Sequence, residues 1–198
     1  MIISKSLINI DGEVLIYPNF FSLEESDKLL IDLTNRINWQ QDHIKMYGKL
    51  IPLPRLTAWY GEPNKYYSYS GISMISQSWI PPLLYIKKRI EELSNIEFNS
   101  VLINRYRHGQ DSMAWHSDDE PELGKNPIIA SVSLGETRRF MLRHKYKKEL
   151  EKVKIDLTHG SFLLMKGTTQ HYWQHQISKT KTIVKERINL TFRIIQNK

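Results

Sequence analysis

The chain contains no cysteine. Disulfides and thiolate metal sites are therefore excluded. It also lacks any run of eighteen or more apolar residues, so no transmembrane helix and no membrane partner are expected. The opening segment, MIISKSLINIDGE, has no apolar stretch of the secretory type. No internal repeat, low-complexity tract or obvious linker interrupts the 198 residues, a length that predicts one domain with a substantial core. Acidic residues are in deficit: 21 Asp and Glu stand against 28 Lys and Arg, a formal charge of +7. That balance favours an anionic partner, nucleic acid first, although many lysine-rich proteins bind nothing anionic.

What is present has clear periodicity. Ser22 followed by Glu25 reads as a capping box, and Leu29, Leu30, Leu33 and Ile37 recur at helical spacing. They predict a helix from about Leu23 to Ile37. IPPLLYIKKRIEELSN predicts a second, with prolines in its first turn and Leu83, Ile86, Ile90 and Leu93 as its apolar stripe. Between them, MYGKLIPLPRLTAWYGEPNKYYSYSG is aromatic and turn-rich and reads as hairpins and loops. Its rings are either half-buried strand aromatics or a lid of flat faces over a base. From Glu97 onward EFNSVLINRY, IIASVSLG, RRFMLRH, EKVKIDL, GSFLLMKG, HYWQHQI and ERINLTFRII read as strands. Helices followed by antiparallel strands predict an α+β domain with a jelly-roll core of two sheets.

Near the end, RINLTFR raises a question of its own. As a strand it turns Ile188, Leu190 and Phe192 to one side, and Arg187, Asn189, Thr191 and Arg193 to the other. The polar side either meets water or lines a pocket whose two arginines grip a small dianion. Upstream, WHSDDE holds His116 and Asp118 two apart. With one more imidazole they would make the open three-ligand face of non-haem iron(II) oxygenases, and zinc would also accept such donors. Most His-x-Asp pairs are surface residues, and spacing leaves His159, His171 and His175 all open as the third ligand.

Together these blocks resemble the AlkB family of Fe(II)- and 2-oxoglutarate-dependent dioxygenases, which remove alkyl groups from nucleic-acid bases. PRLTAWYGE, LINRY, WHSDDEPELG, PIIASVSLG, HGSFLLM and RINLTFR look like family blocks in family order, from about Leu15 to the end. The resemblance implies a double-stranded β-helix, or jelly roll, over about 97–198, with N-terminal helices and a nucleotide-recognition lid over about 40–78, in a single domain of 1–198. It implies His116, Asp118 and His175 as the catalytic metal ligands. His171 then becomes a neighbour, and His159 packs by a tight glycine turn. Asn104, Tyr106, Arg187, Asn189, Thr191 and Arg193 would border 2-oxoglutarate, Arg187 at the distal carboxylate and Arg193 at the metal-proximal end near Asp118.

The implied reaction decarboxylates 2-oxoglutarate to succinate and carbon dioxide and hydroxylates an N-methyl carbon. The hemiaminal then collapses to formaldehyde and the repaired base. Substrates such as 1-methyladenine and 3-methylcytosine are cationic, which suits the anions Asp119 and Glu120. Tyr67, Tyr69 and Ser70 match the lid over the flipped base, and Trp115 and Arg55 border the pocket. Tyr47, in MYGK, resembles the aromatic finger of double-strand-acting relatives, a wedge that offsets part of the unstacking cost. RHKYKK, with Arg143 and Lys145, resembles the basic loop those relatives lay on the opposite strand. PRLTAWYGE and WHSDDEPELG look closer to the single-strand-acting branch. DNA of both kinds is thus the expected partner of a monomeric DNA-repair enzyme. An RNA demethylase, a non-catalytic damaged-base binder and a zinc hydrolase are the rivals. A cytoplasmic, bacterial setting is expected, or the nucleus if the source is eukaryotic.

Overall fold

Alternation along the last strand divides the molecule into layers. The computed structural model describes residues 6–46, 48–63, 66–69 and 72–196. Strand β1 (Glu13–Tyr17) leads into helix α1 (Leu23–Arg36). Two hairpins, β2 (His43–Met46) with β3 (Lys49–Pro52) and β5 (Tyr66–Tyr69) with β6 (Ile72–Ile75), flank β4 (Leu56–Gly61). Helix α2 (Pro81–Ser94) precedes β7 (Ser100–Tyr106), β8 (Met113–His116), β9 (Ile129–Gly135), β10 (Arg138–His144), β11 (Val153–Leu157) and β12 (Ser161–Lys166). A short helix α3 (Thr169–Tyr172), β13 (Trp173–Ile177) and β14 (Arg187–Arg193) complete the order. No helix among the described residues is long and apolar enough to cross a membrane.

Six strands form one sheet in the order β1-β12-β9-β14-β7-β4, and four form another in the order β11-β10-β13-β8. Ile188, Leu190 and Phe192 join Val101, Ile103, Val132 and Leu164 on one side of the large sheet, where Leu29, Leu33, Ile86 and Ile90 of the helices cover them. Leu102, Tyr106 and Leu163 face the other way, toward Phe140, Leu142 and Trp173 of the small sheet. The layers are therefore helices, large sheet, small sheet. Every residue of β14 is buried, so its polar face lies between sheets and not in water.

Local chemistry sets the helix ends. The capping box forms: Glu25 N donates to Ser22 Oγ at 3.2 Å and Ser22 N to Glu25 Oε2 at 2.9 Å. Leu29, Leu33 and Ile37 are buried as the spacing predicts. On α2 the stripe ends earlier than predicted. Leu93 is 46% exposed, because it sits on the last turn before Asn95 closes the helix in the left-handed conformation (φ 55°). HYWQHQI is also not strand throughout. Gly167 turns the chain at φ 61°, residues 169–172 make one helical turn, and the strand begins at Trp173. Strand β1 has no counterpart in the sequence reading. Within the turn-rich stretch, β4 pairs with β7 as a member of the large sheet.

Leu190 is fully buried under the helices while its neighbours Asn189 and Thr191 face the other layer. Leu190→Ala should lower the unfolding free energy by about 2–5 kcal/mol in denaturant titration, with no change in the polar residues on the opposite face.

Candidate active site

The antiparallel registers bring the polar residues of three strands together. In β14, Arg187 lies opposite Tyr106 of β7 and Gly135 of β9; Asn189 lies opposite Asn104 and Ser133; Thr191 lies opposite Ser131. Arg187 Nη2 donates to Ser133 Oγ at 2.8 Å, and Asn189 Nδ2 donates to Ser131 Oγ at 2.8 Å. Arg193 forms an ion pair with Asp118. One pocket between the sheets is lined by Asn104, Tyr106, Arg187, Asn189, Thr191 and Arg193 on one wall, and by His116, Asp118 and His175 on the other.

The second wall is built by the small sheet. His116 and His175 face each other across β8 and β13 with ring centroids 4.2 Å apart. Asp118 follows the end of β8, and its loop is tied down twice. Asp118 N donates to Gln170 Oε1 at 3.0 Å, and Ser117 Oγ donates to Trp173 O at 2.9 Å. One donor atom from each of His116, Asp118 and His175 lies within 4.8 Å of the others. His116 Nδ1 lies 2.8 Å from Ala114 O, which fixes the proton there and leaves Nε2 free to ligate. His159 and His171, left open by spacing, do not join this group. His159 Nδ1 accepts from Gly135 N at 2.8 Å, and His171 sits on α3.

Electrostatics prepares these groups for a cation. Burial pushes the His175 pKa down to about 3, with His116 adding to the effect. Burial likewise lowers that of His116. Both imidazoles are thus neutral donors at neutral pH. Burial works to raise the Asp118 pKa, but the opposing charges, the Arg193 guanidinium first among them, hold the carboxyl below its usual range. Two neutral imidazoles and one carboxylate, with no thiolate in the chain, suit Fe(II). The far end of the pocket suits an anion. Arg187 is 1% exposed, its Nε and Nη1 have no hydrogen-bond partner, and burial pushes its pKa down to about 10. A buried guanidinium with unused donors fits a carboxylate.

A second groove of about 430 Å³ also borders His116, a size suited to a ligand the scale of a base. Ile44 of the first hairpin, Arg55, Trp115 and Lys179 line it, and it shares Met113, His116, Gln176 and Ile177 with the inter-sheet pocket. Arg55 is buried and also donates from Nε to Asn104 Oδ1 at 2.8 Å, which ties this groove to a residue of the inter-sheet pocket. Arg143 stacks over Trp115 at 4.3 Å and bonds Gln174. Lys145 pairs with Asp119 at 3.1 Å, and Glu120 is half-buried at the start of the one-turn helix Pro121–Leu123. Tyr47 and Ser70 lie outside the described residues. Tyr67 and Tyr69 fall in β5, with their side chains outside them. The sequence reading missed Ser131, Ser133 and Gln170; the two-residue spacing of the serines within IIASVSLG was the available signal.

Residues 13–193 match the 2OG-Fe(II) oxygenase superfamily. The chain is 45% identical to mouse (Mus musculus) alpha-ketoglutarate-dependent dioxygenase alkB homolog 3 over 93% of its own length and 66% of that protein. It is 34% identical to the human (Homo sapiens) DNA oxidative demethylase ALKBH2, covering 95% of this chain and 76% of the relative. The chain belongs to the AlkB family of 2OG-Fe(II) oxygenases. Among solved structures, OsALKBH1 superposes with a TM-score of 0.68 at 17% identity, covering 94% of this chain and 99% of that one. A prolyl hydroxylase from Trichoplax adhaerens gives 0.60 at 14%, covering 91% and 83%. These distant likenesses identify the two-sheet arrangement as the jelly roll of AlkB-type and prolyl hydroxylase oxygenases. The AlkB-family chain spans about two thirds of the alkB homolog 3 relatives it matches. The superfamily uses Fe(II) and 2-oxoglutarate, and the His-Asp-His group and the unsatisfied arginine supply donors of the right kinds for both.

The depressed His175 pKa has a measurable consequence. The unfolded state, with an ordinary imidazole near 6.5, takes up a proton that the folded state refuses until about pH 3. Stability of the metal-free protein should therefore fall as pH drops below about 6.5. His175→Gln should make that fall shallower between pH 6.5 and 4, as read by chemical denaturation at each pH.

Proposed function

We propose that the chain is an oxidative nucleic-acid demethylase acting on N-alkylated bases, with 1-methyladenine and 3-methylcytosine in DNA as its substrates. The observation that carries this reading is the pairing of a three-donor metal corner with a buried arginine whose Nε and Nη1 are unused, at the two ends of one pocket. His116, Asp118 and His175 would hold Fe(II). Arg187 would take the far carboxylate of 2-oxoglutarate. Arg193 would border the metal-proximal end while fixing Asp118 through their ion pair. Asn104, Tyr106, Asn189 and Thr191 would complete the co-substrate walls. When bound, iron and the ketoacid together supply the oxidising power that hydroxylates an N-methyl carbon.

The chain's own residues do the rest by position and charge. His116 lines both cavities, so a base in the second groove would lie beside the metal corner. Asp119 and Glu120 would favour a cationic base over a neutral one. Lys145 pairs with Asp119 at 3.1 Å and holds that carboxylate in place. Trp115 and Arg143 form a flat, cationic lip at the groove. Tyr67, Tyr69 and Ser70 would cover the base, and Tyr47 would fill the gap a flipped base leaves in a duplex. A net charge of +7 favours the polyanion. The hydroxylated methyl is a hemiaminal that needs no amino-acid nucleophile to release formaldehyde. The 45% likeness to a relative named alpha-ketoglutarate-dependent dioxygenase and the 34% likeness to one named DNA oxidative demethylase support the same reading.

Formaldehyde release from methylated oligonucleotides, duplex and single-stranded, tests the proposal, with matching RNA as a third arm. Release should require 2-oxoglutarate and disappear in His175→Ala; release that persists without the ketoacid would refute it. Tyr47→Ala should slow duplex repair about tenfold or more while changing single-strand repair less than twofold, since a wedge offsets an unstacking cost of a few kcal/mol only in the duplex. Equal losses on both substrates would exclude the wedge.

A further inference from the structure

Arg138 is a buried cation that the site described so far does not use. It opens β10, is 3% exposed, and makes no contact with the metal corner. Among the described residues its guanidinium donates only to backbone carbonyls: Ser178 O at 2.8 Å, Asp111 O at 2.9 Å and His108 O at 3.4 Å. The Asp111 carboxylate itself is bound by Arg107, at 2.8 and 3.0 Å. Arg138 lies 5.8 Å from the centre of the Tyr106 ring, and Arg187 lies 5.3 Å from the same centre. Two guanidiniums thus share one aromatic ring between the sheets. Their side-chain bonds go to carbonyls, a serine hydroxyl and, for Arg187, Tyr106; no carboxylate bonds either one among the described residues, although Asp111 acts on Arg138 through space.

Burying two cations against each other is costly without an anion. Their mutual influence is visible in Arg187, whose pKa is lowered by burial first and by Arg138 in addition. The ring contact gives each some relief, because an aromatic face attracts a cation. The Asp111 carboxylate, already bound by Arg107, acts on Arg138 through space, and no carboxylate bonds Arg187 among the described residues. We propose that Arg138 is a positioning residue that, from behind Tyr106, supplies the second positive charge for the far carboxylate of 2-oxoglutarate. Its carbonyl bonds hold it where it can act only through space, and Arg187 makes the direct contact. The proposal rests on the co-substrate reading above and goes beyond it by assigning a residue outside the pocket wall to dianion selection.

The test compares two ketoacids that share the chelating end. 2-Oxoglutarate carries the far carboxylate; 2-oxopentanoate ends in a methyl group. Calorimetric titration of the full chain loaded with Mn(II), without oxygen, gives a dissociation constant for each. Arg138→Gln should weaken 2-oxoglutarate about tenfold and leave 2-oxopentanoate within about twofold. Arg138→Lys, which keeps the charge but loses the fork, should hold 2-oxoglutarate within about threefold. Parallel weakening of both ketoacids, or no weakening of 2-oxoglutarate in Arg138→Gln, would overturn the proposal. If Arg138→Gln does not fold, a tenfold loss of 2-oxoglutarate in Arg138→Lys would overturn it equally, since the bonds to carbonyls would then matter more than the charge. Wild-type protein that binds neither ketoacid would instead remove the co-substrate reading beneath it.

Discussion

Four polar side chains of one strand, two of them arginines, are sealed between two sheets, and much of the structure answers that constraint. A guanidinium taken from water must find anions or hydrogen-bond acceptors. Arg193 finds Asp118, and so fixes the acid beside the two imidazoles. Asn189 finds Ser131, and one branch of Arg187 finds Ser133. Nε and Nη1 of Arg187 have no partner in hydrogen-bonding geometry among the described residues. A desolvated cation of that kind would favour an incoming carboxylate. The apolar side of the same strand meets the opposite need, since Ile188, Leu190 and Phe192 anchor the helical layer.

The site divides its labour by geometry. The inter-sheet pocket is closed, polar and cationic at one end, which suits a small dianion. The second groove is more open and is reached past the first hairpin, Trp115 and Lys179, which suits a large polyanion presenting one base. His116 belongs to both walls. Arg55 lines the second groove and bonds Asn104, which lines the inter-sheet pocket. Arg138 ties the loop at His108 and Asp111 to Ser178, beside that groove. The two cavities are therefore adjacent and share part of their lining.

Much of this was legible in the sequence, for physical reasons that differ from residue to residue. The capping box and the period of α1 are local, and they hold. The two faces of RINLTFR are also local, but whether the polar face met water was a question about its neighbours. Likewise His-x-Asp can be read from spacing, whereas the third ligand cannot. His171 and His175 are four apart across a helix-to-strand boundary, and only the pairing of β13 with β8 selects His175. IIASVSLG looked like a wholly buried run, which hid the serines that serve the pocket. Leu93 followed the helical period and is nonetheless exposed, because periodicity does not mark where the covering layer stops. Arg138 carried no motif at all; its place is visible only once Tyr106 and Arg187 are paired across β7 and β14.

The central claim is that one small ketodiacid bridges the metal corner and Arg187. Anaerobic titration of the Fe(II)-loaded chain with 2-oxoglutarate, followed by the visible charge-transfer absorption of a chelated ketoacid, tests it most directly. Wild-type protein should give a band that saturates, and Arg187→Met should shift its midpoint to about tenfold or higher ketoacid concentration, through loss of a charge-assisted contact. An absent band, or a midpoint unmoved by Arg187→Met, would contradict that claim.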